Sequence, residues 1–199
     1  MPQRKATVER LGAFSDAVFA VIITIMVLEL KPPEHPTFAA LVPLWPTALS
    51  YAVSYQFIAI VWMNHHHLLR FTQHPTPRLI WINFVHLFMV SWVPFATAWV
   101  ASTRLAAVPV FVYAAVFVLV ELAYLEFEHH AMAQAVAAEI SHRTRRLAKV
   151  RSILAFGLFL TAMLVSLKLP FFGFGLVCCA VLLYLRPEIP GASGENTEA

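Results

Sequence analysis

The sequence predicts an all-α fold, a six-span transmembrane helical bundle, and three observations carry that reading. Hydrophobic residues make up 60% of the 199 residues and charged residues only 13%. The mean hydropathy is +0.72, more apolar surface than one soluble core can hide. Uncharged runs of bilayer-crossing length recur and end at charges or prolines. The lipid bilayer is therefore the expected surrounding.

The first span is expected over residues 10–30, RLGAFSDAVFAVIITIMVLEL, with Arg10 and Asp16 built into its start. Arg4, Lys5 and Arg10 ahead of an apolar run look like a secretory leader. Asp16 interrupts that run, the apolar part is too long, and no A-x-A-like site follows, so a retained anchor is expected. Pro32, Pro33 and Pro36 enforce a short non-helical loop. The second span is expected over 45–69, ending at Arg70 and an HPTPR turn, and the third over 79–101 with a kink at Pro94. After Arg104 and Pro109 a fourth begins near residue 110 and loses its lipid character at Glu126, Glu128, His129 and His130. The following stretch, polar on several faces, is expected to carry the helix into water and turn back. A fifth span over 153–167 and, beyond Lys168 and Pro170, a sixth over 171–185 complete a single six-helix transmembrane domain over 1–186. Residues 187–199 read as a disordered tail.

Basic residues fall on alternate connections: Arg4, Lys5 and Arg10; Arg70 and Arg78; Arg143, Arg145, Arg146, Lys149 and Arg151; and Arg186. The positive-inside rule then places both termini in the cytoplasm of a multi-pass protein of the cell membrane. The net charge of +3 belongs to these loops, which argues against a nucleic-acid surface. Cys178 and Cys179 are adjacent in an apolar run and read as small fillers. With only 6 glycines and no phosphate-cradling or dinucleotide motif, neither an enzyme nor a cofactor is implied.

This topology gathers polar residues at one depth: Arg10, Ser15 and Asp16 from the first span, Trp62, Asn64, His65, His66 and His67 from the second, and Trp81, Asn83 and His86 from the third. Such a cluster can clamp the rotation of the first helix by pairing groups that lipid would leave unpaired. Ordinary interfacial capping is the bland alternative. A metal site is disfavoured, because consecutive histidines splay by about 100° around a helix and cannot converge on one ion. A proton relay through Asp16 and the histidines stays open.

On an ideal helix Ala17, Val21, Ile25 and Leu28 share one stripe, with Thr24 on its shoulder and Asp16 pointing away. Such a stripe is usually a packing or lipid face. In a symmetric ring it would form a hydrophobic constriction, and Glu29 would lie near the outer mouth, where it could attract cations. No TVGYG filter is present.

Arg10, Phe14, Ser15 and Asp16 fit an R-x-x-x-F-S-D signature, and the first hundred residues resemble the transmembrane protein 175 family of potassium channels. AVFAVIITIMVLEL is similar to that family's pore helix, WMNHHHLLR to its second-helix end, and NFVHLFMVSWVPFATAW to its third helix. A single six-span set resembles the prokaryotic branch, which implies a homotetramer with the first helices around a central axis, permeable to potassium ions. Carried over by position, Val21 is the innermost constriction, Ile25 and Leu28 are outer layers, and Thr24 is a polar pore-adjacent residue. Arg10, Phe14, Ser15 and Asp16 are the structural signature, buttressed by Trp62, His66 and Asn83. Val21 departs from the usual isoleucine. The rivals are a proton-coupled transporter using Asp16 with His65, His66 and His67, and a scaffold whose basic segment binds acidic lipid.

Overall fold

A computed structural model describes residues 2–72, 74–134 and 142–183. The described elements are all helical: α1 (Pro2–Leu28), a 3-10 segment (Phe38–Leu44), α2 (Trp45–Leu69), α3 (Pro77–Val90), α4 (Val93–Ser102), α5 (Ala107–Met132), α6 (His142–Ser166) and α7 (Pro170–Leu183). Five stretches are long and apolar enough to cross a bilayer, and α7 is a shorter apolar helix. The chain is a multi-pass membrane protein. The tail at 187–199 lies outside the described residues.

Local chemistry accounts for the boundaries. Thr76 caps α3, its hydroxyl accepting from the Leu79 amide at 3.2 Å, and Pro77 follows at the first helical position, where its missing N–H costs nothing. The third span is two helices rather than one kinked helix. The break falls at Ser91 and Trp92, and Pro94 sits in the first turn of α4, where a missing amide is tolerated. Of the stretch expected to extend into water and turn back, residues 129–132 end α5, 135–141 lie outside the described residues, and 142–152 are continuous with the fifth span in the single α6, since arginines and lysines are good helix formers once one turn is nucleated. Between α4 and α5 the chain reverses through Arg104 and Leu105, both with positive φ (50° and 63°). Non-glycine residues rarely adopt this conformation, and the buried Leu105 side chain anchors the turn.

Helix α5 is the hub, touching α2, α3, α4, α6 and α7. Phe57 of α2 stacks on Phe117 of α5 at 3.8 Å, and Phe159 of α6 meets both edge-on. Dispersion between close-packed rings replaces the hydrophobic effect as the cohesive term where the surroundings are hydrocarbon. Deeper in the same core the Tyr113 hydroxyl bonds Ser54 Oγ at 2.8 Å, and Ser54 bonds Thr97 Oγ1 at 2.7 Å. The Thr97 proton goes to the Val93 carbonyl, so Ser54 donates to Thr97 and Tyr113 donates to Ser54. Helix α1 lies at the edge, against α2, α3 and α4, with much of its surface free.

The tight α6–α7 crossing depends on Gly173. A Cβ there would sit 2.7 Å from Ser166 Cβ and 2.9 Å from the Ala162 carbonyl oxygen, whereas one on Gly157 would meet nothing within 4 Å. Gly173→Ala should therefore destabilise by about 1–3 kcal/mol through overpacking, while Gly157→Ala should be neutral or stabilise by up to about 1 kcal/mol. Thermal unfolding of the detergent-solubilised variants checks the contrast.

Candidate functional site

Helix α1 has two faces of opposite character. Leu11, Ser15, Phe19, Ile22 and Met26 are buried against the rest of the chain. Ala17, Val21, Thr24, Ile25 and Leu28 are exposed along the other side, Val21 at 54% and Leu28 at 78%. The ladder is therefore free surface in a single copy of the chain. The Thr24 hydroxyl donates to the Val21 carbonyl at 2.9 Å, which satisfies its proton within the helix and leaves oxygen lone pairs outward.

The rotation of α1 is fixed from behind by a buried polar joint. Ser15 Oγ lies 2.9 Å from the Leu11 carbonyl, and Asn83 Nδ2 donates to Ser15 Oγ at 3.1 Å. Asn83 Oδ1 lies 2.6 Å from His65 Nε2; an amide oxygen only accepts, so Nε2 carries the proton. All three side chains are fully buried. At the helix flank Trp62 Nε1 donates to Asp16 Oδ1 at 2.8 Å, pairing the carboxylate within the chain. Phe14 packs edge-on against Phe84 at 5.4 Å, and Arg10 is exposed one turn earlier.

Of the three neighbouring histidines, His65 makes the joint. His66, expected in that role, instead lies on the outer side, its ring 5.7 Å from Trp62 and its Nε2 3.5 Å from Arg70 Nη2. A one-residue step turns a helical side chain by about 100°, so only one of the three can reach α3. Trp62 and Asn83 both hydrogen-bond side chains of α1. Among the described residues no group of three or more metal-ligating side chains comes together.

Two features were not anticipated. His86 stacks nearly parallel to His65, 5.8 Å away, with Phe127 covering both rings. Glu121 of α5 is 4% exposed and lines a small cavity together with Phe57, Asn64 and Phe159. A carboxylate inside an apolar run was the available signal, since intramembrane charge is rare without a purpose.

Fold and site together define a multi-pass helical membrane protein with one helix locked in rotation and its apolar ladder turned outward. The family model described as "Endosomal/lysosomal potassium channel TMEM175" matches residues 10–94, from the start of the signature to the proline after the third-span break. A protein of Chryseobacterium sp. (strain P1-3), named a potassium channel, is 42% identical over 120 residues, 60% of this chain and 62% of that one. The mouse "Endosomal/lysosomal proton channel TMEM175" is 28% identical over 100 residues, 44% of this chain and 20% of its own. The crystal structure of a lysosomal potassium-selective channel TMEM175 homologue from Chamaesiphon minutus superposes with a TM-score of 0.80 at 28% identity, over 90% of this chain and 96% of that one. Over residues 10–94 the chain is thus similar to the TMEM175 family, and over nine tenths of its length it shares the fold of a solved homologue. Its matched stretches span about three fifths of the length of the curated bacterial relatives.

The joint makes a direct comparison possible. His65→Leu should strand the Asn83 and Ser15 groups and destabilise by about 1–2 kcal/mol, whereas His66→Leu should change stability by less than about 0.5 kcal/mol. Equal unfolding midpoints for the two variants would remove His65 from the joint.

Proposed function

We propose that the chain is a potassium-permeable leak channel in which four copies place their α1 ladders around a common axis. The observation that carries the reading is the pairing of an exposed ladder of Ala17, Val21, Ile25 and Leu28 with a polar joint that prevents α1 from turning it inward. The names of the bacterial relative and of the Chamaesiphon structure support potassium as the ion.

In such a ring each layer of side chains narrows the path, and an ion crosses only after shedding part of its hydration shell. Dehydration costs less for potassium than for the smaller sodium ion, so apolar constriction by itself favours potassium. Val21 is the innermost layer, Ile25 and Leu28 the outer ones, and the outward lone pairs of Thr24 give a passing cation its nearest polar contact. Valine at the innermost layer is smaller than isoleucine, which widens the ring and keeps the preference modest. Arg10, Phe14, Ser15 and Asp16, with Trp62, Asn83 and His65, hold the helix rather than touch the ion.

A proton pathway is the second reading, favoured by the name of the mouse relative and by the half-buried carboxylate of Asp16 beside the ladder. Its Trp62 partner and the burial of His65 behind α1 place these groups off the ladder face, which favours potassium conduction.

Flux from proteoliposomes separates the two. With a potassium gradient the reversal potential should follow potassium and stay fixed when the proton gradient is varied; one that tracks protons supports the second reading. Val21→Asn should raise conductance and admit sodium more readily, and unchanged ion ratios would remove Val21 from the constriction. Asp16→Ala should reduce the yield of assembled protein, read by size-exclusion chromatography with light scattering.

A further inference from the structure

At the C-terminal end of α1, far from the joint, the residues that follow the helix meet the first turns of α2 and one side of α4 around a cavity of about 440 Å³. Glu29 and Lys31 both line it, together with Thr47, Phe95, Trp99 and Ser102. The two charged side chains are exposed, and among the described residues neither has an ion-pair partner, so they do not pair with each other. A carboxylate and an ammonium that face one hollow without pairing complement a ligand carrying both charges. A bare cation would meet Lys31 there, and a bare anion would meet Glu29.

The neutral neighbours sort the two ends of such a ligand. Phe95 and Trp99 stand with ring centroids 5.9 Å apart at an angle of 41°, and aromatic faces attract a cation. Ser102 Oγ gives its proton to the Trp99 carbonyl at 3.1 Å, which leaves its oxygen to accept. With the Glu29 carboxylate these groups suit an ammonium that has N–H bonds to donate. The Thr47 hydroxyl has no hydrogen-bond partner among the described residues, so it can donate, as Lys31 does, to the oxygens of an anion.

The 3-10 segment that leads into α2 sets the depth of the cavity. It has no buried residue, Phe38 is 92% exposed, and Trp45, the first residue of α2, is 50% exposed. Leu44 of the same segment lines the cavity. A wholly exposed apolar segment that meets a tryptophan at the end of a span fits the boundary between lipid headgroups and acyl chains. A ligand with an apolar tail would find a surface for that tail beside its polar seat.

We propose that this cavity binds the zwitterionic headgroup of a phospholipid with a primary ammonium. Glu29, Ser102 and the two rings take the ammonium, Lys31 and Thr47 take the phosphate, and the acyl chains run along the 3-10 segment. The site does not depend on which ion crosses the protein.

Lipid retention by the detergent-solubilised full chain, measured by native mass spectrometry, tests the site. Phosphatidylethanolamine should bind about tenfold more tightly than phosphatidylcholine or phosphatidylglycerol with the same acyl chains. Glu29→Gln and Lys31→Gln should each abolish that preference and leave the lipid-free unfolding midpoint unchanged, because both side chains are exposed and unpaired. Equal retention of the three lipids, or a preference that survives both substitutions, overturns the site. Stronger retention of phosphatidylglycerol overturns it in favour of an anion bound by Lys31 alone. Should soluble glycerophosphoethanolamine raise the unfolding midpoint as far as the whole lipid does at the same concentration, the ligand is a free zwitterion and the lipid assignment fails.

Discussion

A serine, an asparagine and a histidine, each from a different helix, set the rotation of α1, and everything the outward ladder can do depends on that setting. In hydrocarbon these groups have no water to fall back on. Their only satisfied arrangement is the one in which Ser15 faces α3 and His65 faces Asn83. The joint is therefore worth more as a constraint than as stability. Interhelical hydrogen bonds in membranes contribute only about 0.6–2 kcal/mol each, yet turning α1 by a quarter turn would bury the ladder and expose Ser15 together.

Asp16 and Trp62 add a second point of attachment on the flank, at the end of α1 where the ladder begins. Two attachments around a helix define an angle where one would leave it free to roll. Phe14 against Phe84 adds a third contact from α3, an apolar one on the remaining side. The three kinds of contact are not interchangeable, since only the polar pairs penalise a wrong rotation.

The spans, their boundaries at the HPTPR turn and near Pro109, and the apolar stripe of α1 were legible because they rest on local rules: apolar runs, prolines that interrupt helices, and a 3.6-residue period. The depth of the Ser15, Asn83 and histidine cluster followed from topology alone. Which histidine completes it did not. His65, His66 and His67 differ only by successive rotations, and the phase of α2 is set by Phe57 on Phe117 and by Ser54 on Tyr113, contacts with helices far away in sequence. The same reason hid the merger of the basic segment with the fifth span into α6, and the place of Glu121 in the core. The break after Val90 was visible only as a kink at Pro94, because proline marks the weak point without saying whether the helix bends or restarts.

The reversal between α4 and α5 has a practical bearing on labelling. Arg104 and Leu105 both take the left-handed conformation, and Leu105 is 2% exposed, so that short connection is a built corner with its side chain locked below. A fluorophore attachment site or epitope spliced there would unseat a core residue. The exposed segment around Pro32 and Pro33, with neither helix nor buried side chain, is the connection where the chain can carry foreign sequence at little cost.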